Sequence, residues 1–411
     1  MAQEQIFTGC LDGPGLLLAG GASRCKQMST IAAVVNEVER PQTRVDTFYR
    51  PGLDILRALA FLLVFVAHGL VSHLDQPTQL GAIGRAGEFG VCIFFFLSSY
   101  LITELLLREK RETSTIHIPA FYVRRILRIW PLYFAMIGVG WFYGLFSPNH
   151  TVSLAWGAAL MLLFTNWYTV GHGYPPGFLF PLWSVSLEEQ FYLLWPCMVK
   201  YLSPGSLLGV STMLMTAAYL TLARLLHQGQ ILDPGIWVNS LVQFQYFALG
   251  TMTAVVLRGR VPNFSKPMRW ALFAAGLLCL RAAQAAVYSN DPSLPHDLLH
   301  IGPRYLIALP GCLCLFLSCL QLPAGRLQKP FIYLGKISYG LYVFHVLWLG
   351  LVRDLLTHVA SSHLSPLAFQ LTAMAIALPA TVLTGMLSYQ YLESPFLRLK
   401  KRFTFVRSRP V

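Results

Sequence analysis

With 411 residues, 55% of them hydrophobic and only 12% charged, the chain is too apolar to be an ordinary soluble domain. Its formal charge of +13 sits in connections and tails rather than along one groove, which argues against a nucleic-acid partner. Of the 31 Lys and Arg, 24 fall before residue 51 or within 108–128, 258–269, 326–336 and 398–409, whereas 147–187 and 289–303 hold none. That distribution follows the positive-inside rule of membrane proteins, and the composition predicts an all-α, polytopic bundle in a lipid bilayer; the cell's inner (plasma) membrane is the expected one.

Residues 1–46 mix charges and lack the basic start and apolar core of a signal peptide, so they read as a poorly ordered cytoplasmic tail, with Met28 as an alternative start. Residues 47–397 are expected to form the transmembrane domain and 398–411 a basic cytoplasmic tail, and no fused extracytoplasmic domain is expected. A helix needs about 20 apolar residues to cross the hydrocarbon core. Candidate segments lie near 53–72, 90–107, 130–146, 152–168, 188–202, 206–226, 236–257, 269–288, 304–320, 333–352 and 366–389. If all of them crossed, the basic stretch 258–269 and the basic C-terminus would lie on opposite sides of the bilayer. If one segment between 152 and 202 is irregular or re-entrant, every basic cluster falls on one side. About ten spans and two cytoplasmic termini are therefore expected.

The first segment, "LDILRALAFLLVFVAHGL", carries Asp54, Arg57 and His68. Eleven residues at about 100° each bring Arg57 and His68 within roughly 20° of one face, about 16 Å apart along the axis. Ionisable groups in a span usually mark a cavity or a pathway. A neutral imidazole is also the form that acts as a general base, although His68 could equally bond a neighbouring helix and Arg57 could pair with Asp54 or reach the headgroups. In "FYVRRILRIWPLYF", Arg124 and Arg128 share a helical face beside Arg125 and offer guanidinium donors to phosphates, or simply anchor the segment. In "PLWSVSLEEQFYLLWP", Ser186 and Glu189 have capping-box spacing, which leaves Glu188 either as a surface group near the headgroups or facing a polar cavity with Tyr192 one turn on. Pro175, Pro176 and Pro181 interrupt any continuous helix upstream. In "ISYGLYVFHVLW", His345 stands mid-span among Ser338, Tyr339 and Tyr342. The eight cysteines show no metal-ligand spacing, and no metal site is expected.

Together with "GVCIFFFLSSYLIT" and "YLESPFLRL", and in that order, these stretches make residues 50–400 resemble the acyltransferase family three membrane proteins, bacterial O-acyltransferases of glycans and some macrolides. The resemblance implies ten helices and transfer of an acyl group, acetyl in the simplest case, from acyl-CoA. Acyl-CoA is then a co-substrate, and no cofactor is bound permanently. By the same resemblance, Arg57 and His68 match the family's Arg and His of the first span. Arg124, Arg125 and Arg128 match its basic motif and would hold the donor. Glu188 and Glu189 match its glutamate motif, with Glu188 orienting acceptor or base. Tyr192, His345 and Ser98 would support the substrate or the fold. The acceptor would be a hydroxyl of a glycan, glycolipid or natural product. The rival reading is a secondary transporter using its intramembrane charges for substrate or protons, although no internal repeat of the kind common in transporters is visible.

Overall fold

The computed structural model describes residues 49–70, 79–147, 151–230, 232–285, 297–322, 324–360 and 364–406. The expected tail 1–46 and the last residues of the expected tail 398–411 lie outside them. Among the described residues the fold is helical, without strands, and ten helices have 18 residues or more.

In chain order the elements are α1 (Pro51–Gly69), α2 (Gln79–Gly87), α3 (Gly90–Thr113), α4 (Ile118–Phe146), α5 (Leu154–Met161), α6 (Thr165–His172), α7 (Leu182–Tyr201) and α8 (Pro204–His227). They continue with α9 (Ser240–Leu257), α10 (Lys266–Ala285), α11 (Leu298–Cys319), α12 (Lys329–Lys336), α13 (Ser338–Ala360), α14 (Pro366–Leu387) and α15 (Ser394–Lys400). The long members are α1, α3, α4, α7 to α11, α13 and α14. Eight helices are long and apolar enough to cross a membrane; α7 and α10, each of 20 residues, are as long but more polar.

Cross-contacts fix the direction of the chain. Lys110 near the end of α3 donates to the carbonyls of Val199 and Leu202 at the end of α7 (2.9 and 3.1 Å). Arg124 near the start of α4 donates to the carbonyl of Phe403. These contacts place the α3–α4 connection, the end of α7 and residues 394–406 at one end of the bundle, the basic end, and Arg50 joins them by lining one cleft with Arg128 and Lys400. At the opposite end Arg353 of α13 holds the carbonyls of His68 and Gly69 (2.6 and 2.9 Å), and Arg304 of α11 pairs with Glu88 (3.0 Å). The long helices thus alternate, and the first and last described residues share one end.

α1 is the central post. Pro51 opens it at a position where no backbone N–H is needed, and it packs against α2, α3, α11, α12, α13 and α14. α3 approaches it closely because Gly90 has no Cβ, which would collide with the Ala60 carbonyl and Val64. Gly250 plays the same part between α9 and α3, against Ser99 and the Phe96 carbonyl. Small residues at such crossings let helix backbones pack where no solvent drives association. Large apolar side chains such as Phe142, Phe146, Leu220 and Leu383 remain exposed on outer faces, as a lipid-facing surface requires.

The irregular region lies where the basic residues required it. The expected segment 152–168 splits into α5 and α6 at Leu163, which adopts φ +56°, and α6 stops at Gly173 with φ +78°. Prolines 175, 176 and 181 carry the chain to α7, which begins at Leu182 rather than near 188. That start corrects the capping-box reading. Ser186 lies inside the helix and donates to the Leu182 carbonyl (3.3 Å), and Glu189 accepts from the Trp130 indole (3.4 Å) instead of reaching back to an N-cap. The expected span 333–352 is likewise two helices, broken at Ile337 between α12 and α13. Residues 398–406, within the expected C-terminal tail, pack across the basic end as the end of α15 and a following 3₁₀ turn.

Candidate active site

A cleft enclosing about 1650 Å³, its open mouth included, enters from the basic end. It is walled by α1, α3, α4, α7, α13 and the segment 388–400. Six cations line it, Arg50, Arg57, Arg125, Arg128, Lys336 and Lys400, against three carboxylates, Asp54, Glu188 and Glu393. Such a surplus on one concave surface attracts a polyanion, and the guanidinium groups add planar forks suited to phosphate oxygens.

The cations differ in how they are held. Arg57 donates to Asp54 (2.9 Å), which also accepts from the Tyr49 hydroxyl (3.1 Å), so the arginine has a fixed direction and still faces the cleft. The Arg125 guanidinium lies 5.5 Å from the Phe121 ring centre and 5.9 Å from that of Tyr192, while its buried Nε has no hydrogen-bond partner. Lys336 stands over the Tyr389 ring at 5.0 Å. Arg124, expected beside Arg125 and Arg128 as a phosphate ligand, is not part of this lining. It is buried in an ion pair with Glu109 (2.8 Å) and donates to the Phe403 carbonyl (2.7 Å), and Glu109 in turn accepts from the backbone N–H of His117 (2.9 Å). Arg124 and Arg128 do lie on one flank of α4, but one turn deeper into the bundle is enough to separate their surroundings.

Deeper in, Glu188 accepts from the Tyr192 hydroxyl (2.8 Å), which shares a further hydrogen bond with Ser98. Ser98 on α3 and Glu188 and Tyr192 on α7 thus form one polar wall of the cleft, as their helical spacing allows. The inner end is apolar, with Val91, Phe94, Phe95 and Val185. It closes where Ser184 and Tyr342 share a hydrogen bond (2.8 Å) and both also reach the Pro181 carbonyl (3.0 and 3.3 Å). That carbonyl is accessible because the prolines delay the start of α7.

His68 lies beyond this wall and is not part of the cleft lining. Its Nδ1 is 2.8 Å from Nε2 of His345, and the two rings stack with centres 5.0 Å apart. The Phe180 ring stands edge-on to it at 5.1 Å. The Tyr342 ring, 5.5 Å from that of His345, separates the histidine pair from the cleft. His345 is wholly buried, whereas His68, at the α1 terminus far from the basic end, is only partly so. The expected partner of His68, Glu188, therefore stands on the other side of Tyr342, and His345 occupies the partner's place. Sequence reasoning had assigned no site role to Lys336, Lys400, Ser184, Tyr342 or Glu393. Lys336 immediately precedes the "ISYGLY" stretch, Tyr342 closes it and Glu393 lies in "YLESPFLRL", so position in or beside two of the motifs was the available signal.

The sequence model of a family described as an acyltransferase domain matches residues 50–386. The peptidoglycan O-acetyltransferase OatA of Listeria monocytogenes is 27% identical over 380 residues, covering 86% of this chain and 56% of that protein. The putative peptidoglycan O-acetyltransferase YrhL of Bacillus subtilis is 30% identical over 327 residues, 72% of this chain and 48% of that one. A putative O-acetyltransferase of Staphylococcus aureus is 25% identical over 380 residues, 85% and 57% respectively. The chain thus spans about half the length of these relatives. No solved structure matches it.

Proposed function

The chain belongs to the acyltransferase family whose sequence model covers most of it, and from that premise we propose that it transfers an acyl group, acetyl in the first instance, from acyl-CoA to a hydroxyl of a glycan or glycosylated acceptor. One observation carries this reading: α1 brings Arg57 to a cation-lined cleft at one end and His68, backed by a second histidine, beyond the cleft's inner wall.

Arg125, Arg128, Lys336 and Lys400 hold the nucleotide phosphates near the mouth, with Arg57 further in. The polar wall of Ser98, Tyr192 and Glu188 guides the pantetheine arm, and the apolar end near Val91 and Phe94 receives the acyl group. Its thioester reaches His68 when Tyr342 and Ser184 part. His68 takes the proton of the acceptor hydroxyl as that oxygen bonds to the thioester carbon. The C–S bond then breaks, and the thiolate leaves as a free thiol once it regains a proton. The basic end is the cytoplasmic face on this reading, because acyl-CoA is a cytoplasmic metabolite and the Lys and Arg gather there. The acceptor approaches His68 from the other face. The glycan class is supported by the names of the relatives, one a peptidoglycan O-acetyltransferase and another a putative one.

The test is thiol release by purified protein given acetyl-CoA. Free CoA should appear only with an acceptor sugar present, whereas a transporter would release none. A positioned base contributes about 10²–10⁴-fold, so His68→Gln should lose at least two orders of magnitude in turnover while inserting normally. If His68→Gln keeps most of its activity, the base is elsewhere.

A further inference from the structure

The contacts of His345 decide which nitrogen of His68 is the basic one. His345 Nδ1 lies 2.5 Å from the Tyr342 carbonyl oxygen, one turn back along α13. A carbonyl can only accept, so Nδ1 of His345 carries the hydrogen. A neutral imidazole has a single N–H, and the His345 ring is wholly buried among Phe61, Tyr342 and His68, with no carboxylate among its described contacts. Its Nε2 therefore presents a lone pair, and 2.8 Å away stands Nδ1 of His68. The hydrogen of that bond comes from His68. With its one hydrogen on Nδ1, His68 keeps a lone pair on Nε2.

We propose that His345 is a positioning residue that locks His68 as the Nδ1–H tautomer, through the chain His68 Nδ1–H to His345 Nε2 and His345 Nδ1–H to the Tyr342 carbonyl, so that Nε2 of His68 is the atom that takes the acceptor's proton. The inference rests on His68 being the base and adds which atom acts and what aims it. During the reaction the acceptor's O–H bond breaks and the proton moves to Nε2, making His68 an imidazolium. Both hydrogens of the relay stay where they are, and the Nδ1–H bond to His345 strengthens as positive charge grows on its donor. Nε2 then returns the proton to the thiolate. A carboxylate performs this duty in serine hydrolases. Here the backing group is uncharged, and a buried ion inside a membrane domain is avoided. The backbone carbonyl at the end of the chain makes the arrangement one-directional, since an acceptor fixed by the helix cannot turn into a donor.

The experiment compares His345→Leu and His345→Gln with the unaltered full-length protein in lipid nanodiscs. Glutamine can place its amide oxygen where Nε2 stands and accept from His68, and leucine cannot. His345→Leu should lower kcat by about 10²-fold or more, the scale on which orienting a base matters, with KM for acyl-CoA nearly unchanged. His345→Gln should recover most of that loss, whereas a merely packing histidine would be replaced by leucine at least as well as by glutamine. Nitrogen-15 spectra of ring-labelled histidines give the direct readout, with the His68 signals identified by their loss in His68→Gln. Nδ1 of His68 should be the protonated nitrogen in the unaltered protein, and the tautomers should mix in His345→Leu. An unprotonated Nδ1 in the unaltered protein overturns the relay, as does full activity in His345→Leu while His68→Gln is dead. Neither of those results touches His68 as the base, which fails only if His68→Gln itself is active.

Discussion

Replacing Arg124 with alanine tests whether the strap of residues 394–406 is fastened where the structure fastens it. Arg124 and Glu109 are both nearly inaccessible, at 9% and 3% of side-chain exposure, and the pair is closed at 2.8 Å. Breaking a buried pair by removing one partner leaves an uncompensated charge and costs about 3–5 kcal/mol. Thr404, Phe405 and Val406 border a small cavity with Glu109, so undocking the 401–406 segment rehydrates the stranded carboxylate and the cost falls on docking, with loss of the hydrogen bond to the Phe403 carbonyl a smaller addition. At about 1.4 kcal/mol per tenfold, 3–5 kcal/mol raises the undocked population by roughly 10²–10³·⁵. Lys401 and Arg402 are exposed trypsin sites on that segment. Cleavage limited by a rapid opening equilibrium follows the open population, so tryptic nicking there should accelerate by at least about 100-fold in Arg124→Ala. The double replacement Arg124→Met with Glu109→Met should return much of the protection, since an apolar pair of similar volume replaces a buried ion pair at little cost. Unchanged nicking in Arg124→Ala, or a double variant no better protected than the single one, would refute the reasoning and return Arg124 to the phosphate ligands.

Arg128→Ala and Lys336→Ala should each raise KM for acyl-CoA about 10-fold or more without altering KM for the acceptor, because a charge-assisted contact is worth about 1.5–3 kcal/mol; steady-state kinetics with each substrate varied in turn decides it. Gly250→Leu should separate α9 from α3 and lower thermal stability in detergent, by an overpacking cost of about 1–3 kcal/mol, whereas Gly138→Leu on the open face of α4, where an added Cβ meets nothing within 4 Å, should be neutral. Reporter tags at either terminus and at Ser114 should read cytoplasmic and tags at Asn149 and Ser293 external, and a cytoplasmic signal at Ser293 would sink the alternating arrangement.

The bundle was legible because lipid imposes it. Apolar runs of about 20 residues and the clustering of Lys and Arg suffice to mark the ten long helices and to locate the interrupted segment between 152 and 202. Helix boundaries were less legible at α7 and α12, where the interruption comes from a proline-delayed start and from a break at Ile337 that neither hydropathy nor charge marks. The cleft cations Arg57, Arg125 and Arg128 could be found by spacing, and so could Glu188 with Tyr192. Arg124 could not be distinguished from them, because its partner Glu109 is 15 positions away and its second partner is a backbone carbonyl 279 positions away. The pairing of His68 with His345 spans 277 positions, and no local periodicity foreshadows such a contact.

The inner wall of Phe94, Ser184 and Tyr342 also has an electrical consequence. A membrane potential falls mainly across the least conducting layer, and here that layer narrows to a few side chains between the cleft and His68. Moving a unit charge across a full drop of 100 mV is worth about 2.3 kcal/mol. On the proposed mechanism the neutral thioester passes this thin layer to reach His68 without electrical work. The imidazolium and thiolate formed there are opposite charges at different depths in the field, so separating and reuniting them does electrical work even though the completed reaction moves no net charge. Turnover in sealed proteoliposomes should therefore change when a potassium-diffusion potential is imposed, and the sign of the change would report which face the acceptor occupies.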